Sequence, residues 1–144
     1  MSVGYDAPVD PLDPDRPQAA IGWAQLLEEH RSAGHPYLEV LRSRSLSVGL
    51  YALSAGSIDA QSPHTEDEVY LVVAGASLFT AGDETREVRA GDVLFVAAGV
   101  PHRFHDISDD LRILVVFAPP EGTLGSGDGA PAAPPAPRAA PGAR

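Results

Sequence analysis

Apolar and polar residues alternate with a period of two along much of the chain between residues 37 and 118. In residues 46–53, Leu-Ser-Val-Gly-Leu-Tyr-Ala-Leu, apolar side chains alternate with small or polar ones over most of the length. A half-buried β-strand has this period because successive side chains point to opposite faces of its sheet. Turns with glycine recur every 8 to 12 residues or so, a spacing typical of antiparallel sandwiches and barrels. The pattern therefore predicts an all-β barrel over residues 37–118.

Eight short strands are predicted within this region. They cover residues 38–41, 46–53, 68–73, 76–80, 85–89, 93–96, 102–107 and 111–117. Residues 81–84, Ala-Gly-Asp-Glu, predict a hairpin turn. Gly75 and residues 108–110 are each predicted to turn the chain from one strand into the next.

A helix is predicted over residues 17–33, within an N-terminal unit of residues 17–35. Its apolar side chains recur at spacings of three and four residues, as on one face of a helix. Pro17 suits a first helical turn, and Gly34 suits the position just past the end. We expect this helix to cap the mouth of the barrel, with partner binding as the alternative, since a single amphipathic helix usually covers its own core.

The two ends of the chain differ in composition from this central part. Residues 1–16 are rich in Pro and Asp, and prolines at that density prevent both helix and ladder formation, which predicts an extended lead-in. Residues 119–144 consist mainly of Pro, Ala and Gly. Such a segment buries too little apolar surface to offset its ordering entropy, which predicts a disordered tail.

Composition excludes several classes of function. The chain has no cysteine and no lysine, which excludes thiolate ligands, thiol nucleophiles and Schiff-base chemistry. Its formal net charge of −10 argues against partners that are nucleic acids or anionic membranes. No signal-peptide pattern and no long apolar run is present, so we expect a soluble, cytoplasmic protein.

Two clusters of potential metal ligands lie beside predicted strands. His64 and Glu68 precede an apolar run, and His102 and His105 follow Pro101 where another strand begins. Imidazole and carboxylate are ligand types that divalent first-row metals accept. A lone His-x-x-x-Glu pair is weak evidence, because surface loops contain such pairs by chance. A β-barrel that brought the two clusters together would form a metal site.

Residues 46–117, about half of the chain, resemble the cupins, small jelly-roll barrels with a double-stranded β-helix fold. The first cupin motif runs Gly, five or so residues, His-x-His, three or four residues, Glu, six residues and Gly. Gly56, His64, Glu68 and Gly75 match it in register. The second motif is matched by Gly91, Gly99 and His102, with Asp106 where cupins have an asparagine.

The chain departs from the cupin pattern at two positions. Ser62 replaces the first histidine of His-x-His, and Ala97 replaces the proline of the second motif. The resemblance implies a divalent metal cofactor, here held by the reduced set of His64, Glu68 and His102. Two histidines and one carboxylate have the composition of the facial triad of non-haem Fe(II) enzymes. Fe(II) is therefore favoured, with zinc, manganese and nickel as alternatives.

Further candidates surround this set. Glu66 and Tyr70 are the candidate catalytic residues, although Glu66 is more simply a solvated acidic turn. Leu94, Phe104 and Tyr70 have the strand parity to line the interior, where they need be no more than core. Ser62 shares the parity of His64 and is a candidate additional ligand.

Two more side chains are candidate additional site residues that strand parity argues against. Gln61, one residue before Ser62, is expected on the opposite face in a regular strand. His105 is expected to face away from His102 for the same reason, which leaves it an ordinary role at the surface or an interface.

The resemblance implies a small metal-dependent enzyme with dioxygenase-like chemistry on a small organic molecule. Zinc or manganese would instead indicate a lyase or isomerase, with the metal as Lewis acid. The alternatives are a cupin module that binds or senses a small molecule without turnover, and a barrel with a vestigial site used for interaction. A homodimer is also expected, because cupins often pair through their outer sheet and residues 69–74 are apolar at every position.

Overall fold

The computed structural model describes residues 18–124; the predicted lead-in, Pro17 and residues 125–144 lie outside this range. In chain order the elements are helix α1 (Trp23–Ala33) and strands β1 (Tyr37–Arg42), β2 (Ser47–Leu53), β3 (Asp67–Ala81), β4 (Glu84–Arg89), β5 (Val93–Val96) and β6 (His102–Ala118). The prediction of an all-β fold with one short helix is confirmed.

All strand pairs are antiparallel, and two long strands organise the sheet. The strand order is β1-β2-β6-β3-β4, and β5 pairs with β3 beside this path. β3 and β6 pair along almost their whole lengths, from Asp67↔Ala118 to Ala81↔His102. The first part of β3 also pairs with β5, and its last part also pairs with β4. The start of β3 therefore lies beside the end of β6, and the start of β6 beside the end of β3.

The predicted turns at Gly75 and residues 108–110 are wrong, because both positions lie inside continuous strands. The ladder between β3 and β6 instead shifts register between Val72 and Leu78. Gly75 has φ +98°, and a Cβ atom there would lie 2.3 Å from the carbonyl oxygen of Asp110. Glycine therefore permits a bend at which two backbones touch. The hairpin turn predicted at residues 81–84 is confirmed, with Ala81 paired to Glu84.

The inner faces of all six strands enclose the main hydrophobic core. Its buried members are Tyr37, Tyr51, Leu53, Tyr70, Val72, Phe79, Val88, Leu94, Val96, Phe104, Ile107, Leu111, Ile113, Val115 and Phe117. The rings of Tyr70 and Phe104 meet edge to face with centroids 5.1 Å apart. Tyr70, Leu94 and Phe104 thus lie inside the barrel, as their parity predicted.

Helix α1 begins at Trp23 and not at Pro17. Gly22 is its N-cap in an extended conformation, and a glycine costs helix stability, so the predicted first turns do not form. Its C-cap is Gly34 in the left-handed conformation, as predicted. Leu26 packs against Val40 and Leu50 in a second hydrophobic cluster.

The position of that second cluster shows which surface of the barrel the helix covers. Leu50 precedes Tyr51 of the main core on the same strand, so the two side chains lie on opposite faces. The helix therefore covers the outer face of the sheet, and the prediction that it caps the barrel mouth is wrong. No helix in residues 18–124 is long and apolar enough to cross a membrane.

The six residues after β6 do not form part of a disordered tail. The backbone N–H groups of Gly122 and Leu124 donate to the carboxylate of Glu66 at 3.0 and 2.9 Å. The N–H of Glu121 donates to Ser47 Oγ at 3.0 Å. We call residues 119–124 the closing turn, since they fold back onto the barrel. The prediction of disorder is wrong for this segment.

Candidate metal centre

Three side chains from separate parts of the chain meet in the interior of the barrel. His64 lies in the irregular segment between β2 and β3, Glu68 is the second residue of β3, and His102 begins β6. Nε2 of His102 is 3.0 Å from Glu68 Oε1, and Nε2 of His64 is 3.9 Å from Glu68 Oε2. One potential ligand atom from each residue lies within 4.8 Å of the others. The structure thus brings together the three ligands expected from the sequence.

The second nitrogen of each ring has an acceptor as its neighbour. His102 Nδ1 is 2.8 Å from the carbonyl oxygen of Val100, and His64 Nδ1 is 3.3 Å from Glu121 Oε2. A metal ion on Nε2 would place the proton of each ring on Nδ1, where the carbonyl or the carboxylate accepts it. That tautomer directs the Nε2 lone pairs at Glu68. Histidine ligands of metals are commonly oriented in this way.

The carboxylate of Glu68 provides a test of whether a metal ion fits. Glu68 is buried, and no donor among the described residues reaches its Oε1 with hydrogen-bond geometry. A buried oxygen without a hydrogen bond is costly. Nitrogen and oxygen lone pairs that face one another in a buried site are complemented by a cation. The donor set therefore fits a divalent metal ion.

Gln61 belongs to this cluster, although strand parity placed it on the opposite face. Its Oε1 lies 3.2 Å from His102 Nε2 and 3.4 Å from His64 Nε2. Ser62, predicted to share the face of His64, is exposed to solvent. Both predictions are wrong because residues 54–66 form no strand, so alternation does not apply to them.

Asp59 is a site-adjacent residue that the sequence analysis missed. It is 1% exposed and accepts hydrogen bonds from the Gln61 side chain, the Phe104 backbone and the Tyr51 hydroxyl. The backbone N–H of Gln61 donates to it as well. A lone aspartate in a segment without periodicity gives no signal in the sequence for such a role.

Tyr70 lies directly behind the cluster. It is fully buried, and its hydroxyl donates to Gln61 Oε1 at 3.1 Å. Burial, followed by the negative charges of Glu68 and Asp59, raises the pKa of Tyr70 well above its ordinary value. The phenol therefore keeps its proton at neutral pH and acts as a hydrogen-bond donor, not as a base.

The two remaining candidates have partners outside the cluster. Glu66 is buried rather than solvated, and its carboxylate accepts the two N–H groups of the closing turn. The interpretation as a solvated acidic turn is wrong, and the carboxylate is occupied by backbone donors. His105 bonds to Thr80 Oγ1 at 2.7 Å and to Asp106 Oδ2 at 2.8 Å, facing away from the cluster as expected.

The space beside the cluster is small. A cavity of about 10 Å³ is lined by Tyr37, Tyr51, Gln61, His64, Glu68, Tyr70, Val115 and Phe117. A single water needs roughly 10–15 Å³ on this measure, so the cavity suits one ion or one water. A larger groove of about 440 Å³ lies between residues 75–78, 87–90 and 106–109 and includes none of the cluster residues. The metal cluster and this groove are therefore separate.

Comparison with known proteins identifies the barrel. The sequence profile of the cupin domain matches residues 49–117. An uncharacterized protein of Streptomyces coelicolor is 57% identical over 96 residues, which cover 66% of this chain and 91% of that protein. The acireductone dioxygenase of Geobacillus kaustophilus is 42% identical over 67 residues, 41% of this chain and 37% of the enzyme.

A solved structure supports the same assignment at the level of the fold. A cupin family protein with a double-stranded β-helix fold from Methanocaldococcus jannaschii matches with a TM-score of 0.53 at 18% identity. The match covers 58% of this chain and 78% of the other. The chain therefore belongs to the cupin family and has its double-stranded β-helix fold.

Proposed function

We propose that this chain is a metal-dependent cupin enzyme with dioxygenase-like chemistry on a small organic molecule, using Fe(II) held by His64, Glu68 and His102. The observation that carries the proposal is the convergence of one nitrogen from each of two imidazole rings and one oxygen of a buried carboxylate within 4.8 Å. Two histidines and one carboxylate suit non-haem Fe(II) and leave coordination positions open. The partial likeness to an acireductone dioxygenase supports oxygen chemistry over other cupin activities.

The residues of the cluster have distinct roles in this proposal. When bound, the ion supplies open positions at which substrate and dioxygen meet, and a source of electrons. His64 and His102 provide neutral nitrogen donors, while Glu68 provides the negative charge. The ring of Phe117 packs against His64 with centroids 4.7 Å apart, which excludes water from that side. Tyr70 keeps a proton and offers it as a hydrogen bond.

Substrate access lies on the side of His64. The His64 side chain is 9% exposed, against 2% for Glu68 and 1% for His102, so it is the member of the cluster nearest to solvent. Since the cavity admits little more than one water, an organic substrate needs side chains there to move. Glu121 of the closing turn lies over His64 and is the side chain best placed to do so.

A second candidate function is a cupin module that binds a small molecule at the metal without turnover. It is favoured by the acid–base groups around the cluster. The Glu66 carboxylate is occupied by the closing turn, and Tyr70 stays protonated. Neither of the two candidate catalytic residues, Glu66 and Tyr70, is therefore ready to act as a general base at neutral pH.

Metal analysis of untagged protein tests the proposal. Wild type, His102→Ala and His105→Ala are compared, since His105 lies on the same strand outside the cluster. We expect one iron per chain in wild type and His105→Ala after anaerobic loading, and none in His102→Ala. Oxygen consumption with a panel of small enediols and 2-oxo acids then separates the enzyme from the binding module.

Each result decides between the candidates. Substrate-dependent oxygen uptake that His102→Ala lacks supports the enzyme. Stoichiometric iron without turnover of any panel member favours the binding module. Zinc or manganese in the purified protein, with iron giving no activity, moves the proposal to a lyase or isomerase. If the wild type contains no metal after loading, both the enzyme and the metal-dependent binding module are refuted.

We also propose that two copies associate through the outer face of β3 and β5. The outer patch consists of Val69, Leu71, Val93 and Phe95, with Val93 and Phe95 67% and 63% exposed. The cross-strand pairs Val69↔Phe95 and Leu71↔Val93 make it contiguous. A two-fold interface uses the same patch on both copies. Because each chain carries a net charge of −10, an uncharged patch allows contact without like-charge repulsion.

A further inference from the structure

The position where cupins carry their first histidine holds no ligand in this chain. That position is Ser62, whose side chain is exposed. The residue before it, Gln61, is 3% exposed and points inward instead. The irregular backbone between β2 and β3 thus turns an amide, and not the hydroxyl, toward His64 and His102.

The spacing around Gln61 Oε1 is that of ligands sharing one ion. Ligands about 2.1 Å from a metal lie about 3.0 Å apart at adjacent octahedral positions and about 3.4 Å apart at tetrahedral ones. Gln61 Oε1 is 3.2 Å from His102 Nε2 and 3.4 Å from His64 Nε2. Glu68 Oε1 is 3.0 Å from His102 Nε2, in the same range.

Asp59 determines which end of the Gln61 amide faces the cluster. Gln61 Nε2 donates to Asp59 Oδ2 at 2.6 Å, and Oε1 points the other way. A reversed amide would set two acceptor oxygens against each other at that distance, so the orientation follows from the chemistry of Asp59. Asp59 is itself held by the Phe104 N–H at 2.9 Å and by the Tyr51 hydroxyl.

The oxygen of Gln61 retains a lone pair for an ion. A carbonyl oxygen has two lone pairs, and the Tyr70 hydroxyl occupies one of them at 3.1 Å. With a metal ion on both Nε2 atoms, each ring carries its proton on Nδ1, so neither Nε2 donates to Gln61 Oε1. The remaining lone pair of Oε1 therefore faces the Nε2 lone pairs of His64 and His102.

We infer that Gln61 Oε1 is a fourth protein ligand of the metal and that Asp59 is the positioning residue that aims it. This rests on the proposed metal centre. The resulting ligand set has two nitrogens and two oxygens, whereas the usual cupin set of three histidines and a glutamate has only one oxygen. Oxygen is the harder ligand, so this set favours harder metal ions. Carboxylate and carbonyl oxygens suit Mn²⁺, so the site should accept manganese as well as Fe(II).

Binding of Mn²⁺ to untagged protein tests the inference without a reaction. The free ion is counted by its paramagnetic resonance signal, and the waters on bound Mn²⁺ by water-proton relaxation. Gln61→Met keeps the length of the side chain and removes its oxygen. Gln25→Met is the matched control, since Gln25 is exposed on α1 and bonds to Glu29.

We expect Gln61→Met to weaken Mn²⁺ binding at least tenfold, because even outer-shell partners are worth about 10–100-fold. Water-proton relaxation should show one more water on Mn²⁺ bound to Gln61→Met than on Mn²⁺ bound to the wild type. Gln25→Met should bind Mn²⁺ at one site per chain, with the wild-type number of waters. An Asp59→Asn variant should weaken binding as well, since the amide is then no longer aimed.

Other outcomes overturn the inference in distinguishable ways. Equal affinity and equal relaxation in wild type and Gln61→Met would leave a three-ligand centre and remove Gln61 from it. If wild type binds no Mn²⁺, Fe²⁺ or Zn²⁺, the metal centre itself fails. Should Gln61→Met not fold, the wild-type relaxation decides, because three or more waters on a six-coordinate ion leave no position for a fourth protein ligand.

Discussion

Glu121 reaches back from the closing turn so that its Oε2 lies 3.3 Å from Nδ1 of His64. Its backbone N–H is held by Ser47 Oγ, so the carboxylate is supported from behind. The pair links the last described segment of the chain to the ligand nearest to solvent. A carboxylate in this position orients the His64 ring and accepts the Nδ1 proton when Nε2 binds a metal ion.

Removing this carboxylate should weaken the metal centre without removing a ligand. We expect Glu121→Ala to lower affinity for Fe²⁺ or Mn²⁺ about 10–100-fold, since the ring loses its orienting partner. Glu121→Gln should lose less, because an amide oxygen still accepts from Nδ1. Competition with a chelator measures the change, and Glu87→Ala on the exposed part of β4 is the control. Affinity unchanged in Glu121→Ala would show that the contact does not orient His64.

Glu66 should stabilise the closing turn more than the cluster. Glu66→Ala leaves the N–H groups of Gly122 and Leu124 without their acceptor. Hydrogen bonds to a charged group contribute about 1.5–3 kcal/mol each, so the loss of two lowers the unfolding free energy by about 3–6 kcal/mol. Urea unfolding gives the loss, and faster amide exchange at Gly122 and Leu124 locates it. Slow exchange at both amides in the variant would contradict this role.

Metal removal should destabilise the whole barrel. The ion binds the folded arrangement of His64, Glu68 and His102, and binding to the folded state alone stabilises by about 2.7 kcal/mol at a free concentration of 100 Kd. For a domain of this size that corresponds to a fall in Tm on the order of 10 °C upon chelation. Calorimetry with and without chelator measures it. His102→Ala should show no such difference, and a wild type insensitive to chelation would contradict the prediction.

Gly75 and Gly91 distinguish two reasons why a position requires glycine, a positive φ angle alone and a positive φ angle together with close contact to another backbone. Both have φ +98°, but only at Gly75 would a Cβ atom meet another backbone, whereas nothing lies within 4 Å at Gly91. Gly91→Ala should cost about 1–3 kcal/mol for backbone strain alone. Gly75→Ala should cost about 1–3 kcal/mol more, because Asp110 must move. Chemical unfolding of the two variants compares them directly, and equal losses would show that the bend absorbs the methyl group.

The outer patch should control association. A double variant Val93→Ser and Phe95→Ser should convert a dimer into a monomer at micromolar concentration. Light scattering after size-exclusion chromatography gives the mass of each. Ile58→Ser is the control, because Ile58 is also exposed and apolar but lies outside the patch. A monomeric wild type would refute the proposed interface.

The sequence predicted the strands and the three expected ligands because both depend on local signals. Alternation of side chains gave the strands, and the motif spacing that resembles cupins placed His64, Glu68 and His102. It predicted turns in place of bends at Gly75 and residues 108–110, since a glycine in a turn and a glycine at a close backbone contact look alike. The difference lies in Asp110, which is distant in sequence and adjacent in space.

The errors at Gln61, Ser62 and Glu66 have a common physical origin. All three lie in the segment between β2 and β3, where side-chain direction follows irregular backbone and not a period of two. Burial of Glu66 depends on donors in the closing turn, which a Pro/Ala/Gly composition gave no reason to expect. Gln61 is turned inward by Asp59, a long-range partner of Phe104. Such contacts exist only once the barrel has formed.

The pairing of β2 with β6 also determines the order of events during synthesis. Ser47 of β2 pairs with Phe117 of β6. β2 therefore cannot complete its pairing until the last strand has been synthesised. Non-local pairing of this kind makes folding slow, with times of milliseconds to seconds. While the residues after 101 are still inside the ribosome, neither His102 nor Glu121 is available to the cluster. Any metal ion held by this cluster would therefore bind late, on a nearly complete barrel, and would have no part in guiding its early folding.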